Sequence, residues 1–422
     1  VSAEDFGPYY RAMYEIAEDL YGRGVSPDVV SMAEQAERLN LYDGGKMNGF
    51  IQVMQSSFSP ENVSQYCSEL KRLSMGRKLQ QVATQIQYWS KQEEPDTAYE
   101  KSCEALSELN KSLEVDSITP IPKALRDALE DLQRRADLDE DQFDGLATGF
   151  QDIDERWMGM KPGNFIVIDG RPGQGKTTLA MNICEHNAKQ GKSILFFSLE
   201  MDSKELADKM VSSVGGVDFG RIMSGRLNPD EWHKLATPVS LMKDAHFYID
   251  DRASLSVPQM RAQAYRVQRE YGLDLICIDY LQLMSAQGNN RENEVSAISR
   301  GLKGLAKEMG VPVIGVAQLS RKCEERKNKR PVNSDLRESG SIEQDANLIA
   351  HVYRDDYYNE DSPIQGIAEI ITGKGRSIKP GTDCLAWRGE LQRFDDLTYR
   401  PDVESVADQQ ESGGKRRKDE PF

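Results

Sequence analysis

Hydrophobic and polar positions change period along this chain, and the change divides it. Up to about residue 115 the apolar residues recur at helical spacing: Met13, Ile16 and Leu20, then Val29, Met32, Ala36 and Leu39, then Val63, Cys67 and Leu70. Ser59-Pro60-Glu61 reads as a helix start, with a cap, a proline in the first turn and an acid behind it, and residues 98–113 supply a further amphipathic helix. Residues 1–115 are therefore expected to form a small all-helical domain. Residues 116–144 break the pattern. Prolines at 120 and 122 introduce a short helix, 123–136, whose Leu125, Leu129 and Leu132 make one narrow stripe ahead of an acidic run from Asp137. Such a stripe either seeks a partner surface or belongs to a solvated spacer. From Gly145 short apolar runs take over, at 165–168, 194–198, 247–250, 273–278, 313–318 and 367–372, with helix-length segments between them. That alternation predicts an α/β domain over 145–402, a mostly parallel sheet covered on both faces with its ligand at the carboxyl ends of the strands. Residues 403–422 are polar and contain glycine, and read as a disordered tail.

Candidate chemistry starts where the first apolar run ends. Gly170-Arg171-Pro172-Gly173-Gln174-Gly175-Lys176-Thr177, followed by Thr178, fills the phosphate-loop pattern G-x-x-x-x-G-K-[ST] without a mismatch. Its glycines let successive N–H groups face one anion, and the helix that opens at Lys176 adds the positive end of its dipole. Lys176 is placed to reach the β- and γ-phosphates of ATP, and the Thr177 hydroxyl to hold Mg²⁺. The run 275–279 delivers Asp279 at its end, as the acid that shares the Mg²⁺ with Thr177. Glu200 ends the run before it, where a carboxylate polarises the attacking water; the alternative is a solvated Glu ahead of a helix capped by Asp202. Gln318 ends the run 313–318 and is expected to sense the γ-phosphate. Residues 321–337 then carry seven Lys or Arg against three Asp or Glu and no aromatic ring, which suits phosphate tracking without base stacking, or else a solvated loop. Lys374 and Arg376 follow the run 367–372, on a hairpin that could offer a finger across a subunit interface.

Composition changes this picture little. The chain has 422 residues and is 38% apolar, with no stretch near the twenty residues of a membrane span. Six cysteines lack C-x-x-C spacing and point to reduced thiols in a cytosol-like compartment; the four histidines are dispersed and receive no metal or triad role. The net charge of −16 would oppose nucleic acid if it were uniform, and the basic segment shows that it is not.

With these segments in place the chain resembles the DnaB-family replicative helicases, which carry a RecA-like motor. The motifs are GRPGQGKTTLAMN (170–182), FFSLEM (196–201), SGRL (224–227), LICIDYLQLM (275–284), GVAQLSR (315–321), DLRESGSIEQDA (335–346) and GKGR (373–376). The resemblance implies a homo-hexameric ring in the bacterial or phage-infected host cytosol. It would hydrolyse ATP at subunit interfaces, translocate 5′ to 3′ on single-stranded DNA and unwind duplex at a replication fork. It also implies that Glu200 activates the water, that Lys374 and Arg376 act in trans, and that Arg337, Glu338 and Gly340 grip DNA. Helix 123–136 becomes the linker helix that packs on the adjacent subunit. Residues 1–115 become the collar, where family members recruit primase; a helicase loader is a further expected partner. Members usually carry more helical sequence ahead of the position of Phe6. An ATP-gated DNA clamp or loading platform is the alternative, and would predict a defective Glu200 or Arg376; both are present. A strand-exchange protein should lack the 335–346 segment and the collar.

Overall fold

Strands that are apolar on both faces must lie between two layers of helix, and here they pair with one another in parallel. The computed structural model describes residues 3–38, 63–113, 120–137, 143–243, 245–286, 291–375, 378–399, 401 and 403. The chain divides into two compact units, Val1–Thr119 and Pro120–Phe422.

The described part of the first unit is helical: Pro8–Gly22, Val29–Arg38, Val63–Gln92 and Pro95–Leu113, with a short 3-10 turn at Ala3–Asp5. Ile16 and Leu20 bury against Met32 and Ala36, as the spacing required. Leu39, the helix start at Ser59–Glu61 and the tail beyond 403 lie outside the described residues.

The second unit opens with the helix Ile121–Ala136, which buries none of its residues and leaves Ile121, Leu125, Leu129 and Leu132 57–69% exposed. Arg134 ties its end to Asp144 at 2.6 Å. A nine-stranded sheet follows: β1 Phe165–Gly170, β2 Ile194–Ser198, β3 Phe247–Asp250, β4 Leu275–Asp279, β5 Val313–Gln318, β6 Leu348–Tyr353, β7 Ile367–Gly375, β8 Gly381–Arg388 and β9 Arg393–Asp396. Their spatial order is β3-β2-β4-β5-β1-β6-β7-β8-β9. Strands β1 to β6 pair in parallel and β6 to β9 antiparallel. Strands β1, β2, β4 and β6 are buried at every position. One core forms under the helices Val257–Tyr271 and Arg291–Met309, the other around Lys176–Lys189. Among the described residues no helix is long and apolar enough to cross a membrane. Parallel pairing brings the carboxyl ends of β1, β2, β4 and β5 to one edge, and the predicted chemistry lies there.

Candidate active site at the carboxyl ends of the strands

The loop after β1 can turn only because of its glycines. Gly173 and Gly175 take φ of 78° and 100°, in the left-handed region that side chains avoid, and a Cβ at Gly175 would come within 2.8 Å of the Phe394 ring. The turn delivers Lys176 as the first residue of the helix Lys176–Lys189. Its ammonium donates to the Arg171 carbonyl at 3.3 Å. Burial pushes this amine below its ordinary range, while Asp279, Glu200 and Asp169 pull it back.

Asp279 ends β4 in register with Ser198 of β2, so Glu200, two residues further on, stands beside it. The two carboxylates line one cavity of about 630 Å³ with Gly173, Lys176, Thr177, Thr178 and Gln318. Asp279 is fully buried, and neither of its carboxylate oxygens has a hydrogen-bond partner among the described residues. Burial raises its pKa to about 6; the Thr177 hydroxyl and the Lys176 and Lys209 charges hold it down, and Glu200 adds to the rise. A buried carboxylate beside a hydroxyl suits a hard cation, and the neighbouring ammonium suits the phosphate that would carry it in.

Not every predicted residue turns toward this cavity. Arg171 directs its guanidinium away, to Glu324 at 2.9 Å and the Leu319 carbonyl at 2.8 Å, and lines a second cavity of about 460 Å³ with Arg291, Arg321 and Lys322. Gln174 accepts from the Arg354 backbone N–H at 2.6 Å. Arg171 is left with its backbone to offer a phosphate, and Gln174 with its backbone and a buried Nε2 that has no hydrogen-bond partner among the described residues. Gln318 lines both cavities. Its backbone is clamped by Gln282, which accepts from its N–H at 3.2 Å and donates to its carbonyl at 3.0 Å. Lys374 is not among the residues lining the cavity of its own chain; its ammonium donates to the carbonyls of Glu343 and, at 3.2 Å, Gln344. Arg376 lies outside the described residues. Arg337 and Glu338 fall in the 3-10 segment Asn333–Ser339, and Gly340 opens the helix Gly340–Asp345, exposed.

The basic segment is less free than its composition suggested. Arg330 is half-buried in a bidentate pair with Glu369, at 2.6 and 2.7 Å, over the Tyr353 ring. Arg326 pairs with Asp335 at 2.7 and 3.0 Å. Two of its seven cations thus hold the fold together.

Several lining residues carried no sequence signal. Tyr280, Lys209, Trp387 and Gln392 belong to the same wall. Trp387 comes from β8, packs tilted against Phe394 and lies under Arg354, so the antiparallel extension closes one side of the cavity. Only knowledge of strand order could have placed it there.

Comparison with known proteins agrees with this geometry. The family described as DnaB-like helicase C terminal domain matches residues 145–396. The replicative DNA helicase DnaB of Pasteurella multocida (strain Pm70) is 38% identical over 410 residues, 93% of this chain and 87% of the relative. The protein of that name from Geobacillus stearothermophilus is 36% identical over 404 residues, covering 94% and 88%. Among solved structures, a DnaB-like replicative helicase described with its interactions with primase superposes with a TM-score of 0.74 at 30% identity, over 94% of each chain. A second solved structure, described as an ATPase domain, gives 0.64 at 34% identity, over 67% of this chain and all of that one. The likeness runs along nearly the whole sequence and toward one group of proteins: the chain belongs to the DnaB family of replicative DNA helicases, and is an ATP-dependent DNA helicase.

Proposed function

We propose that the chain works as a hexameric ring that takes ATP with Mg²⁺ and moves 5′ to 3′ along single-stranded DNA to unwind a replication fork. The observation that carries the reading is Asp279, buried and unpartnered across from Lys176 and Thr177. Thr177 and Asp279 would hold Mg²⁺, which when bound supplies charge neutralisation at the β- and γ-phosphates. The loop N–H groups and Lys176 grip the phosphates, and Glu200, exposed at the cavity lip, accepts the proton of the attacking water. Lys374, whose ammonium donates to the Glu343 and Gln344 carbonyls and which does not line its own chain's cavity, belongs with Arg376 on a neighbour's nucleotide. This supports action in trans and hence a ring. The exposed stripe of Ile121–Ala136 supports a second copy as its cover. Arg337, Glu338 and Gly340 are assigned to the DNA backbone, without base preference. The first unit is assigned to primase docking, by likeness to the solved helicase described with primase, with a helicase loader as a further partner.

The experiment is unwinding of a forked duplex with its single-stranded tail on the 5′ or the 3′ side, with mass measured in the same buffer. Unwinding from the 5′ tail by a hexamer is expected. DNA-stimulated ATP hydrolysis with no unwinding from either tail would replace this reading with a clamp or loading platform.

A further inference from the structure

Asp169 stands one residue before the phosphate loop and is fully buried. The register of β1 on β6 sets it opposite His351, also fully buried, whose Nδ1 lies 2.6 Å from its Oδ1. The other ring nitrogen, Nε2, lies 3.0 Å from Asn333 Oδ1, and Asn333 Nδ2 donates to the Gly373 carbonyl at 3.2 Å.

That last bond orients the chain. A carbonyl only accepts, so the Asn333 amide must turn its NH₂ to Gly373 and its oxygen to His351. Nε2 therefore carries a hydrogen, and one further proton is shared between Nδ1 and Asp169: imidazolium with carboxylate, or neutral imidazole with carboxylic acid. Burial raises Asp169, opposed by His351 and Lys176. Burial alone would lower His351, but the charge of Asp169, joined by Asp335 and Glu343, lifts it above its ordinary value. Both shifts keep the proton on the pair.

The ends of this chain of bonds lie at three working places. Asp169 abuts the phosphate loop. Asn333 heads the 3-10 segment that carries Arg337 and Glu338. Gly373 precedes Lys374 on β7. The approach is tight enough that a Cβ at Gly373 would collide with Asn333 Oδ1 and His351 Nε2. The rest of β6 is apolar apart from the Tyr353 hydroxyl, and an apolar side chain at 351 would fill the same space without burying a charge.

We propose that His351 is a positioning residue, joining the phosphate loop to the DNA-contacting segment through Asn333 and to the root of Lys374 through Gly373, so that nucleotide and DNA binding are coupled through it. This rests on the functional reading above. It is not a catalytic residue, because it touches neither the cavity nor a reacting atom.

The test is the ratio of affinities for a single-stranded oligonucleotide, measured on the full chain with and without a non-hydrolysable ATP analogue. Coupling between two ligands is reciprocal and commonly spans about 5- to 150-fold. His351→Leu breaks the bonds to Asp169 and Asn333, and Asn333→Ala, at a half-buried position, breaks those to His351 and Gly373. Asp169→Asn is the conservative control: its amide donates to Nδ1 while Nε2 still serves Asn333. The ratio should fall at least about fivefold in the first two variants and stay within about twofold in the third, with affinity for the analogue alone within about twofold throughout. Should His351→Leu fail to fold, Asn333→Ala decides the same question. An unchanged ratio in His351→Leu or Asn333→Ala overturns the inference, as does a matching loss of analogue affinity, which would signify general damage. A wild-type chain that binds no oligonucleotide removes the functional reading and this inference with it; an unchanged ratio in the variants removes the inference alone.

Discussion

Two aspartates lie at the carboxyl ends of two strands of one sheet, at the same edge and with only β5 between them, yet they are held differently. Asp279 on β4 is fully buried and beside the Thr177 hydroxyl, with no ion-pair partner and neither oxygen matched by a hydrogen bond among the described residues; Asp169 on β1 is as deeply buried, with one oxygen held by His351 at 2.6 Å and the other unmatched. A buried carboxylate left alone costs the fold several kcal/mol, so one that is retained marks a place where a cation is meant to arrive. A paired carboxylate ties elements of the fold together. Burial is the same in both places, and the partners set the proposed cation site apart from the link.

The sharpest way to break that comparison is the same isosteric change at both positions. Asp279→Asn should lower ATP turnover about 10²–10³-fold, while Asp169→Asn leaves DNA-free turnover within about threefold; equal losses would erase the distinction. Glu200→Gln belongs with the first, losing turnover by about 10²–10⁴-fold while nucleotide binding persists, which equilibrium binding and steady-state hydrolysis measured together would show.

A third buried carboxylate sharpens the contrast. Glu185 lies inside the phosphate-loop helix, accepts from Ser213 at 2.8 Å and leaves its other oxygen unpartnered, and burial raises its pKa to about 7. An acid whose folded value exceeds its unfolded one stabilises the fold less as pH rises, here between about 4.5 and about 7. The loss is on the order of 3 kcal/mol, and Glu185→Gln should remove it, melting higher than the wild type at pH 8. A wild-type melting temperature without this slope would count against a buried, protonated Glu185.

Asp279 titrates with a different consequence. Since it must be ionised to hold a cation and its pKa is raised to about 6, divalent-dependent nucleotide affinity should be full above about pH 7 and fall about tenfold per unit below 6. Calorimetric titration from pH 5 to 8 reads this directly, and a flat profile would place the cation elsewhere. The smallest effect concerns cations of the basic segment. Arg337→Ala should flatten the salt dependence of DNA binding by about one unit, whereas Arg330, locked to Glu369, should alter melting and leave that slope alone.

Much of the motor was legible because strands buried on both faces must be written as unbroken apolar runs; β2 and β5 fall where those runs lie. The run at 348–353 was passed over because His351 interrupts it, and the same histidine received no role because its partners lie 182 and 18 residues away. Arg330 read as a free cation for a similar reason: Glu369 is on another strand. Spacing reveals residues whose neighbours are local, such as Lys176 and Thr177. It is silent on pairs that only strand order brings together, such as Trp387 with the phosphate loop.

The sheet ends, on both sides, in strands of four residues. β3 is Phe247–Asp250 and β9 is Arg393–Asp396, the latter carrying one arginine and two aspartates. Open strand edges are templates for further strands, and short charged ones are poor templates. The ring proposed above would raise the local concentration of its own chain, the condition under which exposed edges nucleate fibres. These two ends would then favour assembly through helices and loops over runaway growth through the backbone.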